Sequence, residues 1–134
     1  MDSTSIELPG SRISAVDIDG DTIRVVFEPA YLVKTMTGSV ERTRWWQNGA
    51  LVFEGAQLDE DTPVPTLPAD CDGGDVGENV YTYRDMVPVP LASQGRAHCA
   101  LKVGDALIRV DASGVRLDLD GVPKYIEHLR PEQA

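Results

Sequence analysis

The sequence predicts an all-β protein: an antiparallel β-sandwich or small β-barrel, built from hairpins and a C-terminal meander, with one short C-terminal helix. Three observations lead there. About seven to nine short apolar runs are separated by Gly, Pro and Asn turn signals. Three hairpin loops can be registered residue by residue, so that apolar and charged side chains fall on opposite faces. One helical spacing is found, at the carboxyl end.

The stretch Arg96 to Asp120 carries most of the argument. With Gly104-Asp105 as a two-residue loop, Val103 faces Ala106, Leu101 faces Ile108 and Cys99 faces Val110 on one surface. Lys102 then meets Leu107, Ala100 meets Arg109 and His98 meets Asp111 on the other. With Ser113-Gly114 as a second loop, Val110 faces Leu117 and Ile108 faces Leu119, while Asp111 meets Arg116 and Arg109 meets Asp118. Opposite charges and apolar pairs sort together in this register. A three-residue loop at 112–114 would set Val110 against Arg116, so the two-residue loop is preferred. One face is core and the other is wet.

The preceding elements are read in the same way. Residues 1–11 are polar and read as a loosely held tail. The run from Arg12 to Glu28 forms a hairpin at Gly20-Asp21, with Ile18 facing Ile23, Val16 facing Val25 and Asp17 facing Arg24. Pro29 ends or bends its second strand. A short strand over 30–36 and a turn at Thr37-Gly38-Ser39 follow. Asn48-Gly49 is a strong two-residue hairpin signal; it would set Trp46 against Leu51 and Arg44 against Phe53, with Trp45 and Trp46 on opposite sides of the sheet. Residues 57–79, with Pro63, Pro65, Pro68 and Gly73-Gly74, read as a long acidic loop. Val80 to Val87 is a strand, and Pro88 and Pro90 make its end an edge. Residues 122–130 read as a helix: Pro123 suits a first turn, Asp120 is a candidate N-cap, Pro131 is a stop, and Val122, Ile126 and Leu129 share a face.

At 134 residues the chain suits a single domain over 1–134 that can bury roughly two-thirds of its unfolded surface. The net charge of -10 argues against nucleic acid and anionic membrane as partners. The excess is concentrated. Between Trp45 and Tyr83 there is no Lys, Arg or His, but eight acids. Two cysteines, Cys71 and Cys99, are too few for a disulfide framework. With no basic-apolar leader and no run of about 20 apolar residues, a cytoplasmic protein with reduced thiols is expected.

Several constellations were weighed for chemistry. Asp-x-Asp-Gly occurs at Asp17, Asp70 and Asp118. The spacing suits a hard cation, yet Asp and Gly are also what tight turns demand. Asp70, Asp72, Asp75 and Glu78 are the metal-ligand candidates, since an acidic loop can wrap an ion. His98 and Asp111 are the catalytic candidates, a base beside an orienting carboxylate; Cys99 points the other way and no nucleophile accompanies them. Cys71 and Cys99 lack zinc-ligand spacing. Trp45, Trp46, Arg42 and Arg44, extended by Tyr81 and Tyr83 if their strand is adjacent, are the binding candidates, because exposed aromatic faces beside arginines stack on ligands. The expectation is a non-catalytic binding or protein-interaction module without a cofactor, whose partner is another protein or a small ligand, with self-association through strand edges open to it. The alternatives are a small-molecule-binding barrel, or a hydrolase-like enzyme using His98 and Asp111.

Overall fold

The computed structural model describes residues 3–36, 38 and 40–129. Twelve strands follow one another: β1 (Ser3–Glu7), β2 (Arg12–Asp19), β3 (Thr22–Thr35), β4 (Arg42–Glu54), β5 (Gln57–Leu58), β6 (Ala69–Asp70), β7 (Gly73–Glu78), β8 (Tyr81–Arg84), β9 (Met86–Val89), β10 (Ala92–Val103), β11 (Ala106–Leu119) and β12 (Lys124–Leu129). They join in one antiparallel sheet curled into a half-barrel, in the order β6-β2-β3-β4-β11-β10-β7-β8. β1 bridges β3 and β9, β5 extends the edge beside β11, and β12 lies on β4.

The inner face of the curl is the core. Phe27, Phe53, Ile6, Leu8, Ile13 and Leu101 are among its fully buried side chains. Both Gly-Asp hairpins form with the expected partners. Leu101 pairs with Ile108, Cys99 with Val110 and His98 with Asp111; Ile18 pairs with Ile23 and Asp17 with Arg24. Ile108 is buried and Arg109 exposed, so the apolar face points inward. In the first hairpin a register shift at Ser14 makes Ile13, not Ser14, the partner of Phe27. Pro29 bends β3 without ending it: the register against β4 shifts between Phe27 and Ala30, and the strand runs on to Thr35.

Neither of the other two expected hairpins exists. Asn48-Gly49 lies in the middle of β4, flanked by Phe27 on β3 and Leu119 on β11. A Cβ at Gly49 would stand 2.5 Å from the Asp118 carbonyl oxygen and 2.8 Å from Leu119 Cδ2. Glycine is there because a neighbouring strand lies over it, which is the other meaning of a glycine inside a strand. Ser113-Gly114 likewise lies within β11, which pairs with β10 along one edge and with β5 and then β4 along the other. Inward positions on β11 change from even (Ile108, Val110) to odd (Val115, Leu117) at this point. A two-residue turn leaves the same trace in a sequence. Here the cause is a bend: the β10 register shifts between Gln94 and Ala97, and Gly55 opposite takes φ 57.

Four further expectations are corrected. Residues 1–11 are not a loose tail over their described part: β1 is paired on both edges, and Ile6 and Leu8 are buried. The segment 57–79 is not one loop, because β5, β6 and β7 lie within it, and β7 sits between β10 and β8. Its glycines serve close packing: a Cβ on Gly74 would collide with the Ala100 carbonyl and lie 2.9 Å from Leu101 Cα. The strand expected over 80–87 is broken at Asp85 (φ 64), whose backbone N–H donates to Gly74 and whose carbonyl accepts from Leu8. The helix expected over 122–130 is absent, and β12 occupies 124–129. Buried Gln47 donates its amide to the Asp120 and Gly121 carbonyls at 3.2 and 2.9 Å, pinning the link so that the chain continues along β4. The register of β12 against β4 shifts between Tyr125 and Glu127. The turn expected at 37–39 lies partly outside the described residues; Gly38 is in a turn with φ 79.

Two stability predictions follow from these contacts. Gly74→Ala, which meets both a positive φ and neighbouring backbone, should cost roughly 3 kcal/mol, against about 1 kcal/mol for Gly104→Ala, which faces open space. Equal urea midpoints for the two variants would contradict the close approach of β7 and β10. Gln47→Leu should cost about 1–2 kcal/mol and selectively speed hydrogen exchange of the β12 amides. Uniform exchange across the sheet would contradict the pinning role.

Candidate functional site

The alternation along β4 puts Trp45 and Trp46 on opposite faces. Trp45 packs toward the core beside Leu32, with Lys34 Nζ 4.3 Å above its ring and Tyr125 edge-on at 5.3 Å. Its indole N–H donates to Thr43 Oγ1 at 2.8 Å. Trp46 faces outward and is 37% exposed. Together with its cross-strand partner Tyr31, and with Pro29, Asn48, Glu28 and Ile126, it lines an open groove of about 460 Å³. Exposed Tyr125 and Val122 lie close by in sequence on and before β12.

Arg42, Arg44 and Trp46 share the outer face by alternation. Arg44 is held rather than free: its Nη2 donates to Glu7 Oε1 at 2.8 Å, Glu127 lies 3.8 Å from Nη1, and its Nε is buried without a partner among the described residues. Arg42 is exposed, opposite Thr35 and Leu129. The tyrosines do not join this surface. Tyr81 and Tyr83 are on β8, which is separated from β4 by β11, β10 and β7. Tyr83 packs against the core, and burial followed by the nearby Glu78 pushes its phenol up from the ordinary value.

His98 and Asp111 do face each other across β10 and β11. No hydrogen bond or ion pair joins them among the described residues. The imidazole instead lies over Gly77, where a Cβ would collide with the ring. This is a half-buried side chain resting on a glycine of the next strand. Cys99 points into the core as expected. His128 lies 3.6 Å from Glu41 and packs edge-on to Tyr125.

The acidic candidates are dispersed. Asp72 accepts the Gly104 N–H at 2.7 Å and so clamps the β10–β11 turn, while Asp75 pairs with Arg84 at 3.0 Å. Asp70 pairs through its backbone with Arg12 on β2, and Glu78 stands opposite Tyr81 and Ala97. No group of three His, Cys, Asp or Glu among the described residues could hold a metal ion. Two of the Asp-x-Asp-Gly copies end in a turn or bend glycine at positive φ, Gly20 and Gly121, as turn chemistry requires, whereas Gly73 of the middle copy opens β7.

A second concavity, absent from the sequence reading, opens where the β4–β11–β10 ladder bends. Its volume is about 620 Å³, with Val52 and Gly114 among the residues that line it and Glu54, Ser93, Gln94 and Arg116 around it. Arg116 donates through Nη1 to Glu54 and through Nε to Asp118 at 3.2 Å; those bonds, Glu54 first, hold its guanidinium more firmly protonated than usual. Both concavities escaped the sequence reading for one reason. Asn48 lines the first and Ser113-Gly114 the second, and each dipeptide carries the local signature of a turn.

The arrangement therefore defines an all-β antiparallel half-barrel with two surface concavities. Comparison with family models, with curated proteins and with solved structures returned no match. No helix among the described residues is long and apolar enough to cross a membrane.

Both thiols are free and buried. Burial pushes Cys71 up from its ordinary value and Cys99 up to about 12, against 9.0 for an unperturbed thiol. Between those two values the unfolded chain loses a proton that folded Cys99 keeps. The thiol's contribution is therefore intact below pH 9 and is lost as pH rises toward 12. Cys99→Ala should flatten the alkaline fall in stability, measured by urea unfolding at stepped pH. An unchanged slope would mean that Cys99 ionises freely in the fold.

Proposed function

We propose that this protein is a non-catalytic interaction module that binds a segment of another protein on the outer face of β3, β4 and β12. The observation that carries the reading is the groove in which Trp46, Tyr31, Pro29 and Ile126 expose apolar surface around two polar groups, Glu28 and Asn48. Aromatic side chains of this kind supply large contact area at small entropic cost, and are enriched where partners anchor.

The groove runs out to a strand edge. Among the described residues β12 pairs with β4 alone, so its other edge is open to an added strand. An extended peptide laid there would gain main-chain hydrogen bonds, and its side chains could reach over Ile126 toward Trp46. The charge of the chain, -10, with Glu28 in the groove and Glu127 beside it, favours a partner segment that carries Lys or Arg next to its apolar anchor. The curled sheet is best taken as a small, incompletely closed barrel with β1 and β9 along its seam, rather than as a sandwich. The two free thiols support a reducing, cytoplasmic setting.

The test is selection of peptides from a random display library on the immobilised protein. Recovered sequences are expected to combine aromatic or aliphatic anchors with basic residues and to weaken as salt rises. Trp46→Ala is expected to lower their affinity roughly tenfold or more. Peptides that bind the variant equally well, or whose affinity ignores ionic strength, would refute the reading. Mass that rises with protein concentration and falls on Ile126→Lys would instead make the occupant a second copy of this chain.

A further inference from the structure

We infer that the concavity at the bend of β4, β10 and β11 is a binding site for a neutral, hydroxyl-rich small molecule of mono- or disaccharide size. It is separate from the Trp46 groove, shares no residue with it, and does not depend on the function proposed there.

Size is the first consideration. At about 620 Å³ the space lies in the middle of the range, about 300–1,000 Å³, that small-molecule sites occupy. The fold also builds it deliberately in the physical sense. Two irregularities coincide there: the register shift of β10 between Gln94 and Ala97, and the left-handed Gly55 across from Ser113. Each interrupts the ladder, and bulges of this kind open a sheet face and re-aim side chains next to binding sites. Gly114 and Ala92 keep the opening free of bulk.

Charge selects the ligand class. In a chain of net charge -10, this cleft is balanced. Its one acid, Glu54, and its one base, Arg116, are already paired with each other, and Arg116 also donates to Asp118. Arg24 in turn lies 3.7 Å from Asp118, so the wall is a closed network of two guanidinia and two carboxylates. An anionic ligand would have to compete with Glu54 and Asp118 for Arg116, and a cationic one with Arg116 for Glu54. Exposed pairs of this kind hold their partners only weakly, so what disfavours an ion is that the cleft offers it no uncompensated charge. A neutral ligand meets no such contest.

The remaining polar groups suit it. Ser113 offers an exposed hydroxyl that can donate or accept, Gln94 offers both a carbonyl and an amide, and Ser93, whose Oγ accepts from Asn79 Nδ2 at 3.1 Å, keeps its own O–H to donate. Val52 lies in register between Arg24 and Arg116 on this outer face and is fully buried, so the accessible apolar surface at the opening is the exposed Ala92 methyl. Hydroxyl and amide groups beside a small apolar patch suit a ring that carries C–H on its faces and O–H on its edges.

The experiment is a titration of the ¹⁵N-labelled full chain with D-glucose, N-acetyl-D-glucosamine and maltose, followed by amide chemical shifts. D-glucuronate and D-glucosamine serve as the anionic and cationic counterparts. The expected result is saturable shifts confined to residues 52–55, 92–95 and 113–116 with at least one neutral sugar, at a dissociation constant on the order of 1 mM or tighter. The charged counterparts should bind roughly threefold more weakly. Ala92→Trp, at an exposed position on the cleft, should abolish the shifts while the rest of the spectrum stays in place; Gln94→Trp replaces it if that variant does not fold. Shifts that never saturate, that map elsewhere, that survive the blocking substitution, or that are matched by a charged counterpart would overturn the inference.

Discussion

The structure rests on three cross-strand rows on the inner face of β3, β4 and β11: Ile23–Phe53–Val115, Val25–Leu51–Leu117 and Phe27–Gly49–Leu119. Burying one large apolar side chain stabilises a fold by roughly 1.5–3 kcal/mol. An exposed ion pair such as Arg24–Asp118, on the other face of the same strands, contributes about 0–1 kcal/mol. The inner rows therefore decide which strands are neighbours, and the charged outer rows conform to that choice. The third row contains a glycine because Leu119 leans into the space a Cβ would need.

That constraint propagates outward. Once β11 is committed to β4 through Val115, Leu117 and Leu119, its amino-terminal half must still deliver Ile108 and Val110 to the same core from positions of the opposite parity. The ladder has to bend between them. It does so at Gly55, Ser113 and the irregular part of β10, and the saccharide-sized cleft is the space left on the outer side. The same logic operates at the other end of β4. Pro29 and the shift in register opposite Asn48 interrupt the β3–β4 ladder, and the Trp46 groove opens at that interruption. Both concavities are consequences of how one sheet curls, and neither is an appendage.

Local chemistry was enough for the two Gly-Asp hairpins. Gly20 and Gly104 take positive φ in open space, so nothing beyond the turn is needed to explain them. It was also enough to put Ile108, Val110, Leu101 and Cys99 inside, and Trp45 and Trp46 on opposite faces. It failed at Asn48-Gly49, Ser113-Gly114, Gly73-Gly74 and the segment after Asp120. In each case the deciding partner is remote: Leu119 over Gly49, β10 against Gly74, Gln47 on the Asp120 and Gly121 carbonyls. The candidate site was half legible for the same reason. The sequence put one of Trp45 and Trp46 on each face without saying which is exposed, Tyr31 and Ile126 join Trp46 only through pairings that no local pattern encodes, and Tyr81 and Tyr83 sit four strands away from β4 in the sheet order.

By itself, then, the amino-acid order determined the all-β class, the positions of two reversals and the polarity of the strands that flank them, because turn residues and two-residue alternation act over a few bonds. Tertiary structure alone decided whether the remaining glycines mark reversals or close crossings, and where the sheet bends enough to hold a ligand. A missing side chain frees the backbone to turn and equally lets another strand come near. Which of the two happens is settled only when the other strand arrives.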